Sequence, residues 1–254
     1  MIESGGEIIV GVLGQWASGK STAAGTLVGH VGGEDKVIFI TDRDLFAGQA
    51  VKYLLGLEDS QVTGTLEDDG TRRLEGEHAV VWLGPGEDLK SVDLSTLKWN
   101  LHEDVIPAWL NRARVEVGHQ IRERAADGKP IVIEAGFGKH PTDHTIPDLF
   151  IALGEAGVES EQVKWIIVEA GFDKRSERNK KRLLDHTDIA APPVDVFARY
   201  AADGGDLDPD HQSRLKERGT IIKRVHNDHD EIERFRADII AAFEESFRGV
   251  LPAS

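Results

Sequence analysis

Apolar residues along the chain fall into five short runs in which polar residues do not alternate with them. The runs are rich in Ile and Val, a composition typical of parallel strands that are buried on both faces of a sheet. We therefore predict five buried strands. They are EIIVGVL (7–13), KVIFIT (36–41), PIVIEA (130–135), KWIIVEA (164–170) and TIIKRV (220–225).

Stretches with helical character separate these strands. One follows Ser18, one extends from 104 to 126, and one extends from 174 to 184. A last amphipathic run places apolar residues at helical spacing, namely Ile232, Phe235, Ile239, Ile240 and Phe243. Because strands alternate with helices, we predict an α/β fold with a doubly wound, mainly parallel five-stranded sheet.

The stretch from 45 to 103 interrupts this alternation. It is acidic, carries turn signals at 69–70 and 84–86, and includes short strand-like pieces such as HAVVWLG. A loop of this length without secondary structure would be unusual in a compact domain. We predict an inserted subdomain at 45–103, with a small hairpin, within a single domain that spans 1–254.

The composition, with 40% hydrophobic and 30% charged residues, is that of a soluble globular protein. The chain has no cysteine, which excludes disulfides, a thiolate nucleophile and a cysteine-ligated zinc site. Its first residues are acidic, and no apolar run approaches the roughly 18 residues that span a bilayer. We therefore expect a cytoplasmic protein without a membrane segment, and a homo-oligomer is compatible with the sequence.

The formal net charge of −15 bears on the partners of the protein. Such a charge repels the phosphate backbone of nucleic acids, so binding of DNA or RNA would need a strong basic patch. Only the segment KRSERNKKR (174–182) is strongly basic. A small molecule is therefore the expected partner, and a nucleic acid is not.

The segment GQWASGKS (14–21) matches the phosphate-loop pattern GxxxxGK(S/T). A chance match in a chain of this length has odds of about one in a hundred at average residue frequencies. An apolar strand leads into the segment and a helix-compatible stretch leads out of it, as phosphate binding requires. An ordinary glycine turn is the alternative interpretation. The predicted nucleotide-binding residues are Gly14, Gln15, Trp16, Ala17, Ser18, Gly19, Lys20, Ser21 and Thr22.

In such a loop Lys20 reaches the β- and γ-phosphates and the Ser21 hydroxyl ligates Mg²⁺. The chain thus resembles the P-loop NTPase superfamily, and three of its branches fit poorly. Gln15 stands where ParA-like ATPases carry a second lysine, NKKR (179–182) does not meet the NKxD motif of small GTPases, and no LSGGQ signature occurs. The branch of nucleoside, nucleotide and small-molecule kinases remains. This resemblance implies strand order 2-3-1-4-5, ATP as phosphoryl donor and Mg²⁺ as cofactor.

Two carboxylates follow predicted strands at the edge where an open α/β sheet binds ligands. Asp42 comes directly after the second strand, where it can orient an acceptor hydroxyl or accept its proton. The alternative is that Asp42 caps the next helix, and Asp44 is the second candidate. If the strand order is that of the kinases, Glu134 is expected near the magnesium position beside Ser21.

The segment after the fourth strand occupies the place of a mobile lid in such kinases, and we predict a lid region at 173–216. Arg175, Arg178 and Arg182 are spaced i, i+3 and i+7, so one helix face would present all three to the transferred phosphoryl group. A solvated basic helix face is the competing interpretation. By the same resemblance Asn227, in the turn after the last strand, would lie near the adenine base.

These features together predict an ATP- and Mg²⁺-dependent kinase that transfers the γ-phosphoryl group to a small-molecule hydroxyl or phosphate. The predicted catalytic residues are Lys20, Asp42, Arg175, Arg178 and Arg182, and the predicted metal ligands are Ser21 and Glu134. The insert is the expected acceptor site, and its acidity favours a neutral or cationic acceptor. Two alternatives stay open: an NTPase that switches the state of a protein partner, and a kinase of nucleic-acid ends, which the net charge disfavours.

Overall fold

The computed structural model describes residues 8–102, 104–138, 145–185, 197, 206–228 and 231–248. In this part of the chain it has nine strands and seven α-helices. The strands are β1 (Ile9–Gly14), β2 (Ile38–Thr41), β3 (Thr63–Leu66), β4 (Arg72–Glu75), β5 (Ala79–Leu83), β6 (Lys98–Leu101), β7 (Ile131–Gly136), β8 (Lys164–Glu169) and β9 (Ile222–His226). The helices are α1 (Lys20–His30), α2 (Asp42–Leu55), α3 (Ile106–Ala125), α4 (Ile146–Glu155), α5 (Phe172–Asp185), α6 (Pro209–Glu217) and α7 (Ile232–Ser246).

The central sheet is parallel throughout and has the order β2-β7-β1-β8-β9. Counted along the chain, these five strands have the order 2-3-1-4-5, which confirms the predicted fold class. β1 is the middle strand, and its last residue Gly14 lies opposite Gly136 of β7. The loop after β1 therefore leaves the centre of the sheet, with the carboxyl ends of β7 and β8 on either side.

Helices cover both faces of this sheet. On one face, α3 and α4 pack against strand residues such as Ile133 and Trp165, which are fully buried. Gly11 of β1 lies against the Trp165 ring, and a Cβ at Gly11 would come within 2.3 Å of a ring carbon. The other face is covered by α1 and α7. Over the residues that the structure describes, no helix combines the length and the apolar character needed to cross a membrane.

A second sheet, antiparallel and four-stranded, follows α2 in the order β3-β4-β5-β6. It lies within the predicted insert and has two more strands than the hairpin expected there. Its apolar residues, including Val81 and Leu83, pack with Leu54 of α2 and Trp109 of α3. The Arg43 side chain adds a polar link, because its Nη1 donates to the carbonyl of Ser95 at 2.7 Å. The insert is thus anchored to the helix that follows β2.

Candidate active site

The segment 15–19 turns the chain from the end of β1 into α1. Gly19 has a left-handed backbone with φ of 103°, and Ala17 has φ of 60°, which is uncommon for a residue with a Cβ. The Ser18 N–H donates to the Gln15 carbonyl at 3.1 Å and closes the loop. A Cβ at Gly14 would lie 2.3 Å from Ser18 Oγ. Both glycines that the pattern requires are therefore needed for the shape of the loop.

The N–H groups at the start of α1 are open to a ligand. The first backbone bond of the helix runs from Ala23 N–H to the Gly19 carbonyl at 3.0 Å, and the N–H groups of residues 19–22 have no acceptor among the described residues. The first turn holds no acidic side chain that would offset the positive end of the helix dipole. Such an arrangement binds phosphate oxygens. The loop therefore fits the phosphate chain of a nucleotide.

Lys20, Ser21 and Glu134 come together beside this loop. The Ser21 hydroxyl donates to Glu134 Oε1 at 2.6 Å, and Lys20 Nζ lies 3.7 Å from the same oxygen. Glu134 is the fourth residue of β7 and is 8% exposed. The strand order brings it next to Ser21, as the kinase-like order implied.

Ser21 and Glu134 supply two oxygen ligands suited to Mg²⁺. Within the described ranges, no three His, Asp or Glu side chains are grouped so that they could hold a metal by themselves. Mg²⁺ is usually bound through one or two protein oxygens together with substrate phosphates and water. The residues present therefore fit a magnesium ion that arrives with a nucleotide.

Asp42 lies at the same edge of the sheet, one strand further from the loop. It is the first residue of α2, but the cap of that helix is Thr41, whose Oγ1 accepts a hydrogen bond from Arg43 N–H at 3.1 Å. The Asp42 carboxylate instead turns toward β7, where Oδ2 accepts from Gly136 N–H at 2.6 Å. No other described residue donates a hydrogen bond to this carboxylate. One of its oxygens is therefore available to a ligand.

Burial changes the acidity of the two aspartates at the start of α2. Burial raises the pKa of Asp42 above its ordinary value of 3.8, although the charge of Lys20 and the Gly136 N–H act in the opposite direction. Asp42 is 9% exposed. Burial also raises the pKa of Asp44, against the lowering effect of the Arg43 guanidinium, whose Nη1 lies 3.3 Å from Asp44 Oδ1. Asp44 is thus already paired with Arg43, whereas Asp42 interacts electrostatically with Lys20 and Glu134.

Arg114 is a site residue that sequence reasoning missed. It projects from α3, is 1% exposed, and donates through Nη2 to the Gly136 carbonyl at 3.2 Å. Its Nη1 donates to the Thr145 carbonyl at 3.3 Å. The peptides flanking Gly136 are therefore held by Arg114 on one side and Asp42 on the other. A signal was present, since Arg114 takes a core position in the apolar pattern of α3, between Leu110 and Val117.

The three predicted arginines of α5 have different surroundings. Arg175 is fully buried, and its Nε donates to the Ala170 carbonyl at 2.9 Å. Arg178 reaches the phosphate loop, where Nη1 lies 3.4 Å from the Ser18 carbonyl oxygen. Arg182 is partly exposed. The spacing of the three arginines therefore did not show that Arg175 is buried inside the protein. Most of the predicted lid beyond 185 lies outside the described residues.

Asn227 also lies against the phosphate loop. Its Nδ2 donates to the Ser18 carbonyl at 2.7 Å, and the side chain is 7% exposed. A further apolar contact was missed from the sequence: Phe197, 1% exposed, packs with Ala17 and with the Phe172 ring at 5.9 Å between centroids. The residues around Phe197 carried no pattern that would have indicated this contact.

A cleft of about 300 Å³ opens at the same edge, between the ends of β1, β8 and β9. Its lining includes three acidic side chains, Glu169, Asp206 and Asp228, beside His226. Arg224 pairs with Glu169 and with Asp206, the latter at 2.7 Å. Two of the three carboxylates at the cleft are therefore already paired with a guanidinium.

Comparisons with known proteins found similar structures, but no match to a protein family or to a curated protein sequence. The chain is similar to an unliganded sugar kinase from Janibacter sp. HTCC2649, with 14% identity over 97% of this chain and 99% of that chain and a TM-score of 0.49. It is also similar to TT1252 from Thermus thermophilus, with 16% identity, 97% and 99% coverage and a TM-score of 0.44.

A thymidylate kinase from Ehrlichia chaffeensis is a third similar structure, with 12% identity over 93% of this chain and 98% of that chain and a TM-score of 0.41. These scores are too low to argue for an activity. The P-loop type of the fold is instead evident from the strand order and from the loop that joins β1 to α1.

Proposed function

We propose that this chain, which has the fold of a P-loop NTPase, is an ATP- and Mg²⁺-dependent phosphotransferase with a small-molecule acceptor. One observation carries the proposal. The buried Asp42 carboxylate lies at the same sheet edge as Lys20, Ser21 and Glu134, and Gly136 N–H holds one of its oxygens. A carboxylate in this position can orient an acceptor hydroxyl toward a bound γ-phosphate.

In this proposal the phosphate chain lies against the N–H groups of residues 19–22, and Lys20 contacts the β- and γ-phosphates. Lys20 and Ser21 share Glu134 Oε1 in the structure, so a phosphate would compete with that carboxylate for both. Ser21 and Glu134 would hold Mg²⁺, which when bound supplies positive charge to the phosphate oxygens.

During transfer, the bond between the γ-phosphorus and the β–γ bridging oxygen breaks, and a bond from the acceptor oxygen to that phosphorus forms. The acceptor hydroxyl gives up its proton to Asp42. Because burial raises its pKa, Asp42 is a stronger base than an exposed aspartate. Arg178 and Arg182 of α5 are proposed to stabilise the charge on the phosphoryl oxygens, and the buried Arg175 to support the start of that helix.

We propose a neutral or cationic acceptor that binds between the insert and the sheet edge. Asp42, Asp44 and Glu134 give this place a negative potential. Arg43, which lies nearest to Asp44, already donates to the Ser95 and Leu97 carbonyls. An acceptor with a phosphate group would therefore meet repulsion from the described side chains here.

The test is transfer of label from γ-labelled ATP or GTP, with Mg²⁺, to a mixture of metabolites. Label in a small organic product supports the proposal. Label in free phosphate alone would mean an NTPase switch, and label in an added oligonucleotide would mean a nucleic-acid kinase. Lys20→Ala should abolish transfer and leave the circular dichroism spectrum unchanged. Lys36→Ala, an exposed lysine just before the amino end of β2, is the matched control and should keep the native rate.

A further inference from the structure

The carbonyl of Ser18, in the middle of the phosphate loop, is held by two side chains from other parts of the chain. Asn227 Nδ2 donates to it at 2.7 Å, and Arg178 Nη1 lies at 3.4 Å. Asn227 follows β9, and Arg178 belongs to α5. Three segments that are distant in sequence therefore meet at one peptide group of the loop.

The direction of this carbonyl fixes the direction of the next N–H. A trans peptide is planar, and its C=O and N–H point to opposite sides. Because the Ser18 carbonyl faces Asn227 and Arg178, the Gly19 N–H faces away from them, and no described residue accepts a hydrogen bond from it. This N–H is the first of the series that fits a phosphate chain.

We propose that Asn227 is a positioning residue that holds the Ser18–Gly19 peptide in the orientation needed to bind phosphate. The inference rests on the proposed function, in that the loop must bind the phosphate chain of a nucleotide. It gives Asn227 a role through the loop backbone rather than through contact with the base.

The bonds of Asn227 support this role. Its backbone N–H donates to the Glu169 carbonyl at 2.7 Å, which fixes the residue to the end of β8. Its Oδ1 accepts from Arg178 Nη2 at 3.1 Å, and its own carbonyl accepts from the same nitrogen at 2.7 Å. Both polar atoms of the side chain are thus engaged with protein atoms, and the side chain is 7% exposed.

The close approach to Gly19 is independent support. A Cβ at Gly19 would lie 2.3 Å from Asn227 Nδ2, so a side chain at this position would displace the amide. The glycine of the motif therefore serves the left-handed backbone with φ of 103° and also leaves room for Asn227.

The experiment measures the binding of Mg·ATP and of Mg·tripolyphosphate by calorimetry. Asn227→Asp keeps the size of the side chain and the acceptor for Arg178, but places a carboxylate oxygen against the Ser18 carbonyl. We expect the Kd of both ligands to rise by the same factor, on the order of tenfold, which is the loss of about one hydrogen bond. Asn111→Asp, the same change at an exposed position of α3, should leave both values unchanged.

Tripolyphosphate has no base, so it separates two roles of Asn227. A rise in Kd for ATP alone would mean that Asn227 reads the base, and unchanged Kd values for both ligands would mean that it does not position the loop. Either result overturns the inference. If Asn227→Asp does not fold, Asn227→Ala gives the same test without an added charge. Absence of binding to the native protein would instead contradict the proposed function.

Discussion

Asp42 begins α2, yet the side chain that caps this helix is that of Thr41, one residue earlier. The carboxylate is therefore not used by its own helix and bonds Gly136 N–H across to β7. Arg114 holds the carbonyl of the same Gly136 from α3, so the position of Asp42 depends on a side chain 72 residues away in sequence. Single residues of this site are thus placed by backbone groups of neighbouring strands.

Asp42→Asn should slow phosphoryl transfer while nucleotide affinity stays close to native. An amide oxygen can still accept from Gly136 N–H, but the amide cannot take a proton, and general-base contributions are about 10²- to 10⁴-fold. The measurement is kcat and KM for ATP under saturating acceptor. Asp44→Asn is the comparison, and we expect a smaller loss because Asp44 is paired with Arg43. Transfer at the native rate by the Asp42 variant would remove Asp42 from the mechanism.

Asp42 should also lower the stability of the native protein at neutral pH. Its pKa is raised by burial above 3.8, so the folded state binds its proton more tightly than the unfolded state. The stabilising contribution of the protonated group is complete below about pH 3.8 and is lost as the pH rises through the folded pKa.

Urea unfolding at several pH values measures this effect. The free energy of unfolding of Asp42→Asn minus that of the native protein should grow as the pH rises from about 4 to 7. A difference that is constant across this range would mean that the carboxyl does not titrate differently on unfolding. Residues that lower the stability of the fold are common in active sites, where charged groups are buried because the reaction requires them.

At the scale of elements, α1 contains two kinds of glycine. Gly19 precedes the helix with φ of 103°, whereas Gly25 lies within it and a Cβ there would meet nothing within 4 Å. Gly19→Ala should destabilise the protein by about 1–2 kcal/mol through its left-handed backbone and should abolish nucleotide binding. Gly25→Ala should stabilise it by about 0.5–1 kcal/mol, since glycine is a poor helix former, and should leave binding unchanged.

Denaturant unfolding together with nucleotide calorimetry checks both substitutions. Equal effects of the two substitutions would mean that the backbone of the loop does not require glycine at position 19. Both positions are glycine in the sequence, and they differ in backbone conformation.

Elements with a continuous apolar pattern could be predicted, and those that depend on partners could not. All five strands of the parallel sheet were found within two residues of their ends. The inner strands β7, β1 and β8 are buried and largely apolar, whereas the predicted burial is wrong for the edge strands β2 and β9, which are partly exposed. α2 was instead taken into the insert, since its apolar residues face the insert sheet and it is polar elsewhere. Helix α4, which lies between β7 and β8, was not predicted from the sequence.

At the scale of the whole molecule, a ligand that binds only the folded state should raise its stability. Mg·ATP at about 100 times its Kd adds about 2.7 kcal/mol, which should raise Tm by about 5–10 °C for a chain of this size. The measurement is thermal unfolding with ATP and Mg²⁺. Excess EDTA should remove most of the shift, and Lys20→Ala should remove all of it. A shift of the same size in the Lys20 variant would mean that the nucleotide binds elsewhere.

The loop motif at 14–21, the five strands of the parallel sheet and the carboxylate after the second strand were determined by the sequence alone. Each depends on local rules: glycine for the backbone of the loop, continuous apolar residues for a buried strand, and the carboxyl edge of a parallel sheet for ligand groups. These rules act over a few neighbouring residues, so their effects can be recognised in the sequence itself.

The tertiary structure alone decided which backbone groups Arg114 and Asn227 bind. It joined Arg114 to the Gly136 carbonyl and Asn227 to the Ser18 carbonyl, pairs separated by 22 and 209 positions in sequence. It also placed Arg175 inside the protein although its spacing matched that of Arg178 and Arg182. Such contacts follow from strand order and from the packing of helices on the sheet, which depend on the whole chain folding at once.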